Sequence, residues 1–324
     1  MRCAVALSAL TGKDVRVRNI RAGRPNPGLA PQHITAVNGV ASLCNAKVTG
    51  AVAGSTDLSF FPGSISGGKL RLDVGTAGSI SLVLQACVLP AIRAGKVTRL
   101  EVLGGTNVRW SPPIDYCSDL LLPLLKRMGM DIRMQVVSRG FYPEGGGKVT
   151  VEVEPPTEIL ALDLNERGTL SRLRGVCFSQ NLPEHVCTRM SHSVKKAFLD
   201  EGGIVMRNDT SFGKSTGAGV CLFAEYERTV LGVDALGERG VPAEKVAENA
   251  AEALRKEMRG IGTLDDHAAD QLIPYMALAE GESVFRVREV TKHLATQMWL
   301  INKFLDATFS LRSLPSGHEI HVSP

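Results

Sequence analysis

Aromatic side chains are scarce in this chain, at 5% of 324 residues. Proteins that bind nucleic acid on a stacking surface, such as RRM and OB folds, depend on several exposed aromatic residues. The composition therefore argues against such a platform. The net charge is also small, at +4. Recognition of an anionic partner would have to depend on local clusters of basic residues.

Signatures of disulfides and membrane spans are lacking as well. The seven cysteines contain no CxxC pair and are odd in number. This pattern disfavours a disulfide framework or a zinc knuckle, and favours buried thiols in a cytoplasmic protein. No apolar run approaches the ~18 residues of a membrane span. The opening MRCAVALSAL resembles a short secretory signal, but no convincing cleavage site follows it.

What the chain does contain is a recurring order of predicted elements. Three stretches, with lead strands near Val15, Val97 and Val284, each read strand–helix–strand–strand from their apolar periodicity. A further helix precedes each stretch, and the strand KLRLDVG precedes the second of these helices. We therefore predict an α/β (α+β) fold of three tandem βαβαββ-type units, with the first strand of unit one missing. Three unrelated α/β segments are the alternative interpretation.

The spacing of the lead strands predicts an insertion. The third lead strand follows the second by roughly 100 residues more than the second follows the first, enough for a small domain. We expect residues 162–260 to form this inserted α/β domain. Residues 1–161 would then carry the first two units of the main domain, and residues 261–324 the third.

Six sequence blocks carry a resemblance to a known family. They are, in order, IRAGRPNPGLAPQH, GTAGSISLVLQACVLP, GGTNVRWSPPIDY, RGFYPEGGG, HAADQLIPYMALA and TKHLATQ. Together they resemble the RNA 3′-terminal phosphate cyclase family along essentially the whole chain. The resemblance implies three repeats similar to the C-terminal domain of translation initiation factor three, forming the catalytic domain, with a smaller domain inserted before the last repeat.

The resemblance also implies an activity, which is the ATP-dependent conversion of an RNA 3′-phosphate to a 2′,3′-cyclic phosphodiester through a histidine–AMP intermediate. By motif match the nucleophile is His293, at the predicted start of a helix. Unpaired N–H groups at a helix N-terminus favour an approaching phosphate and disfavour a protonated imidazole. A neutral imidazole nitrogen is the form that attacks phosphorus. Without the resemblance, His293 reads as an ordinary surface residue.

Further site residues follow from the same resemblance. Residues matching the family's ATP site are Gln85, Pro112, His267, Asp270 and Gln271. Residues matching its RNA phosphate site are Arg2, Arg21, Arg24, Gln32 and His33. Taken alone, these stretches are equally compatible with a turn proline, an exposed aspartate and a solvated basic loop. His267 stands where the family usually has a tyrosine that stacks on adenine, so we expect less stacking area.

The expected cofactors are ATP and Mg²⁺ or Mn²⁺, with the metal-binding residues unknown. Family members carry a strand and a glycine-rich acidic segment before the arginine that matches Arg2, and this chain begins without them. A start site placed too far downstream and a shortened enzyme both explain this difference. The expected partners are RNA 3′-phosphate ends and ATP, with no membrane and a possible homodimer. A non-catalytic relative that binds RNA ends or acts in ribosome assembly is the alternative function.

One motif resembles a nucleotide-binding loop. GKST, at residues 213–216, matches the end of a P-loop, but that pattern requires a glycine where this chain has Asn208. We therefore assign GKST no role in binding phosphate.

Overall fold

A computed structural model describes all 324 residues of the protein. It is a mixed α/β structure with four small sheets. The helices are α1 (Arg2–Thr11), α2 (Pro31–Cys44), α3 (Ile80–Ala91), α4 (Ile114–Tyr116), α5 (Leu122–Arg127), α6 (His185–Ala197), α7 (Ala243–Arg259), α8 (Asp266–Met276) and α9 (Lys292–Ile301). None of them is long and apolar enough to cross a membrane.

Fifteen strands form the sheets. They are β1 (Val15–Val17), β2 (Lys47–Thr49), β3 (Leu58–Phe61), β4 (Lys69–Asp73), β5 (Thr98–Gly104), β6 (Ile132–Ser138), β7 (Gly147–Val153), β8 (Asp163–Leu164), β9 (Leu170–Gln180), β10 (Val205–Ser211), β11 (Gly217–Tyr226), β12 (Val230–Leu236), β13 (Ser283–Val287), β14 (Thr308–Leu314) and β15 (Gly317–Ser323).

Two of the sheets have the same arrangement of strands. One has the order β4-β5-β7-β6 and another β8-β13-β15-β14. In each, the first pair is parallel and the other two pairs are antiparallel. The sheet β1-β3-β2 has the antiparallel pairs but only three strands. The predicted strand–helix–strand–strand order is therefore present in all three stretches.

The short strand β8 affects the boundary of the predicted insertion. Asp163 and Leu164 pair in parallel with Val284 and Phe285 of β13. Two residues of the predicted 162–260 segment thus belong to the sheet of residues 261–324. The remaining strands of that segment form a separate sheet, β10-β9-β11-β12, from residue 170 onward. Periodicity did not reveal β8, because a two-residue strand is too short to show alternation.

Apolar side chains form two clusters. The larger one contains 66 buried residues and includes the apolar faces of α1, α2, α3 and α8. The smaller one contains 16 buried residues, all between Leu173 and Leu254, where α6 and α7 cover the sheet. Six of the seven cysteines are buried, in line with the expectation of buried thiols.

The second predicted unit differs locally from the sequence interpretation. The periodicity of YCSDLLLPLLKRMG predicts one regular helix that begins near Tyr116. Instead α4 precedes a π-helical turn at Cys117–Leu121, and α5 then ends at Arg127. A π-turn adds a residue to the helical repeat and rotates the side chains that follow it.

A buried arginine joins this unit to the inserted segment. Arg139 is 4% exposed and binds both carboxylate oxygens of Asp115, at 2.7 and 2.8 Å. Its Nη2 also donates to Asp209 of β10 at 2.6 Å, and its guanidinium lies 4.7 Å from the ring centre of Phe178. Burial alone would raise the pKa of Asp115, but the hydrogen bonds and charge of Arg139 lower it. The pair is therefore ionised at neutral pH.

The GKST segment makes a second contact between these parts. Ser215 accepts from the Phe141 N–H at 3.0 Å and its hydroxyl lies 2.7 Å from the Phe141 carbonyl and 2.8 Å from that of Gly145. Its side chain is buried at 4% exposure. The GKST segment is thus hydrogen-bonded to the FYPEGGG loop, and this contact is structural.

Replacing Arg139 tests the importance of the buried ion pair. We expect Arg139→Met to lower the free energy of unfolding by about 3–5 kcal/mol, because Asp115 would remain buried without its partner. Arg133→Met, which removes an exposed arginine from β6, is the matched control and should change the free energy of unfolding far less. Urea denaturation measures both variants. Equal losses in the two would contradict this assignment.

Candidate active site

His293 lies in the first turn of α9. Thr291 caps this helix, because its hydroxyl accepts from the Leu294 N–H at 3.1 Å. Leu294 is 1% exposed and anchors the helix start in the core, whereas the His293 side chain is exposed. The first N–H groups of a helix have no partner within it and carry a partial positive charge. The imidazole is therefore accessible beside a group of donors suited to phosphate.

Asp270, on α8, lies among the predicted site residues. Burial raises the pKa of its carboxyl to about 6. The charges of His267, His293 and Arg2 act in the opposite direction, and the nearby Asp265 adds to the increase. These side chains are thus close enough to Asp270 to change its ionisation. Residues from α1, α8 and α9, far apart in sequence, therefore influence the same carboxylate.

The start of α8 is held by Asp265, which the sequence interpretation had not singled out. One of its oxygens accepts from the N–H groups of His267 and Ala268, both at 3.0 Å. The Tyr116 hydroxyl donates to the same carboxylate at 2.5 Å, and the Gly232 N–H at 3.1 Å. An aspartate followed by a helical pattern is a recognisable N-cap signal. Its long-range partners have no sequence signal.

A second group forms around the loop at residues 20–33. Burial, together with the positive charges of Arg2 and Arg21, lowers the pKa of His33 to about 4. The Nδ1 of His33 accepts from the Ala30 N–H at 3.0 Å. Because a neutral imidazole has one donor and one acceptor, Nε2 then carries the proton. His33 therefore presents a neutral N–H donor close to two guanidinium groups.

Two buried polar atoms in α1 and α9 have no hydrogen-bond partner. They are the Nε of Arg2 and the Oε1 of Gln297, one turn beyond His293. A buried donor without a partner is costly, so such atoms call for an explanation. An anion held beside Arg2 would satisfy its Nε.

The other predicted RNA-binding side chains differ in whether they are already hydrogen-bonded within the chain. Arg21 donates from Nη1 to the Gly28 carbonyl at 2.9 Å, which fixes the loop. Gln32 accepts from the Ser79 N–H at 2.8 Å and so links α2 to the start of α3. Arg24 is exposed and its side chain makes no hydrogen bond within the chain. Of the three side chains, that of Arg24 is therefore the most available to bind a ligand.

The predicted ATP residues are spread over three elements. Gln271 is 8% exposed and donates to the His267 carbonyl at 2.9 Å, within α8. Pro112 is half-buried, and its carbonyl accepts from Ser81 at the start of α3 at 2.7 Å. Gln85 lies on α3, which packs against α8, but no hydrogen bond joins Gln85 to Asp270.

A cleft of about 320 Å³ adjoins the Pro112 loop. It is lined by residues 108–111, 234–236 and Glu238. Burial raises the pKa of Asp234 to about 6, while the charge of His267 acts to lower it. His267 is exposed, and its charge affects the ionisation of both Asp234 and Asp270. Ser111, the neighbour of Pro112 in the chain, lines the cleft together with Asp234.

Comparison with known proteins identifies the family. The family described as RNA 3′-terminal phosphate cyclase matches residues 1–311. A relative of that name from Nitrosospira multiformis is 44% identical, over 99% of this chain and 92% of its own length. Relatives of the same name from Methanopyrus kandleri and Pyrococcus furiosus are 42% and 39% identical, each over 96% of this chain and 91% of their own. The chain belongs to the RNA 3′-terminal phosphate cyclase family.

No protein metal site is preformed in this cyclase family member. There is no group of three or more His, Cys, Asp or Glu side chains that could hold an ion. Mg²⁺ is commonly bound through one or two carboxylates together with substrate phosphates. The side chains present therefore do not form a complete metal site by themselves.

The half-buried carboxyl of Asp270 predicts a pH-dependent effect on stability. Its folded-state pKa of about 6 exceeds the ordinary value of 3.8. The free energy of unfolding therefore falls as the pH rises from about 4 to about 6, because the folded state disfavours the charged carboxylate. We expect Asp270→Asn to raise the free energy of unfolding at pH 8, by up to about 3 kcal/mol. The gain should shrink below pH 6 and be lost near pH 4.

Denaturant titrations at pH 8, 6 and 4.5 measure this difference. Asp200→Asn, which replaces an exposed carboxylate, serves as the control and should change stability little at each pH. An Asp270→Asn protein less stable than the parent at pH 8 would show that the carboxylate is held by attractive contacts.

Proposed function

We propose that this protein uses ATP to convert an RNA 3′-terminal phosphate to a 2′,3′-cyclic phosphodiester, through a covalent adenylate on His293. Membership of the family supports the overall reaction. The observation that carries the assignment of His293 is its exposed position at the start of α9, close to Asp270. The same position gives the imidazole both access to a nucleotide and a nearby carboxylate.

The proposed reaction has three steps. The neutral imidazole attacks the α-phosphorus of ATP, a P–N bond forms, and pyrophosphate leaves. An oxygen of the RNA 3′-phosphate then attacks the adenylate, which releases the imidazole. Finally the neighbouring 2′-hydroxyl attacks the activated 3′-phosphorus, closes the ring and expels AMP.

ATP would be held on the surface formed by α8 and the Pro112 loop. Asp270 would accept from the ribose hydroxyls when it is ionised, above its pKa of about 6. His267 and Pro112 would contact the adenine ring, with Gln85 and Gln271 completing the site. Ser111, next to Pro112, lines the cleft together with Asp234, whose ionisation is affected by His267, and this supports the arrangement.

The RNA 3′-phosphate would be held by Arg2, Arg21, Arg24 and His33, with Gln32 supporting their loop. The proximity of Arg2 and Arg21 to His33 supports a common anion site. Arg2 is also near Asp270, so the RNA end would lie next to the nucleotide. Mg²⁺ or Mn²⁺ would enter with the triphosphate and offset its charge. The residues that contact the metal are not assigned.

The architecture that we propose is three repeats and one insertion. The common strand order of two sheets, and the matching antiparallel pairs of the third, support the repeats. Repeat one would lack only the parallel first strand that β4 and β8 supply to the others. The catalytic domain would comprise residues 1–161 and 261–324 together with β8, and the insertion would begin after β8 and end near residue 260. A cytoplasmic location and a homodimer are further expectations.

Labelling with ATP tests the role of His293. We expect protein incubated with α-labelled ATP to retain acid-labile label. His293→Ala should retain none, because it lacks the imidazole nitrogen that forms the P–N bond. His192→Ala, which removes an exposed histidine from α6, is the matched control and should label normally. Normal labelling of His293→Ala would refute this assignment. A wild-type protein that binds RNA ends without labelling or cyclising them would favour the non-catalytic alternative.

Replacing Arg24 separates the RNA step from the ATP step. We expect Arg24→Ala to raise the KM for 3′-phosphorylated RNA about tenfold, because a charge-assisted hydrogen bond to phosphate is lost. Labelling of the protein by ATP should be unchanged. Arg93→Ala, an exposed arginine after α3, is the control. A Kd that changes equally for RNA without a 3′-phosphate would place Arg24 elsewhere on the RNA.

A further inference from the structure

One exposed aromatic side chain lies on the helix that carries His293. Trp299 is 60% exposed, although tryptophan is usually well buried in folded proteins. Leu294 and Ile301 attach α9 to the core. Trp299 lies about 140° around the helix axis from Leu294, so packing does not require it to be apolar.

Basic residues surround this tryptophan. The ammonium group of Lys303 lies 5.5 Å from the ring centre of Trp299. Lys292, two helical turns earlier, is exposed on the same side of α9. Lys13, after α1, donates to the Phe304 carbonyl at 2.8 Å and adds a third positive charge at this end. The chain has no acidic residue between positions 290 and 305.

We propose that Trp299 and its lysines bind the single-stranded RNA upstream of the 3′-phosphate, with one base stacked on the indole. This inference rests on the proposed function, because it extends the site of the RNA end along α9. An aromatic face binds any base, and the flanking ammonium groups neutralise backbone phosphates. The charge of this surface therefore complements RNA.

The distance along α9 fits a nearby nucleotide. Trp299 lies six residues after His293, which is about 9 Å along the helix axis and about 120° around it. An extended strand whose 3′-end is at His293 would therefore reach the indole by passing around α9, with the second or third nucleotide from its end. An isolated aromatic contact also agrees with the low aromatic content, since it needs no stacking platform.

Kinetics with a series of RNA lengths tests this surface. We expect Trp299→Ala to raise the KM for a 3′-phosphorylated decanucleotide about tenfold, with kcat and labelling by ATP unchanged. The KM of the parent should fall as nucleotides are added beyond the terminal one. The KM of Trp299→Ala should depend less on length, and Trp299→Tyr should recover most of the loss. Phe212→Ala, which removes a 91% exposed aromatic from the inserted segment, is the matched control.

A binding measurement keeps the inference separate from the proposed chemistry. RNA should quench tryptophan fluorescence in the parent protein, and the quench should be smaller in Trp299→Phe. Lys303→Ala should weaken binding and make it less dependent on salt. An unchanged KM and an unchanged quench would refute the proposal. The proposal would also be refuted if Trp299→Ala changed only the oligomeric state, since Trp299 would then lie between copies of the chain. Absence of ATP labelling in the parent would count against the cyclase reaction alone.

Discussion

The Asp265 carboxylate is the interaction on which the position of the site depends. It caps α8 and is bound by Tyr116 from the second predicted unit and by Gly232 from β12. One buried side chain thus connects three parts of the chain. Burial raises its pKa, and the hydrogen bonds from Tyr116, Ala268 and Gly232, together with the charge of His267, act against this increase. His267 and Asp270 follow directly in the first turns of α8, so their position is set by this cap.

The site combines charges that are far apart in sequence. Asp270 lies within the influence of Arg2, His267 and His293, and burial keeps its pKa near 6. His33 is kept neutral by burial and by two arginines, with a pKa of about 4. An anionic ligand near Arg2 and a neutral imidazole donor are compatible, whereas a second buried cation would be costly. The neutral state of His33 therefore follows from its surroundings.

Residues 170–260, the segment predicted to be an insertion, are joined to the rest of the protein by polar contacts. Arg139 reaches Asp209, and Ser215 is bound by the backbone of the FYPEGGG loop. Arg139 and Ser215 are buried and have hydrogen-bond partners, which makes the contact specific in geometry. The segment also supplies Gly232 to the α8 cap and Asp234 to the cleft beside Pro112. This segment therefore has its own small apolar cluster and also contributes residues to the surroundings of the site.

The sequence by itself determined the α/β class, the order of the main elements and the family. Alternation and 3.6-residue spacing are local properties, so β5, β7, α2 and α9 could be predicted from them. The motif blocks also identified His293 and Asp270 as candidates. Only the tertiary structure decided that β8 joins β13, that Asp265 binds Tyr116 and Gly232, and that Arg2 lies near Asp270. These contacts join residues more than 30 positions apart, and burial and charge at such contacts depend on packing that no local pattern encodes.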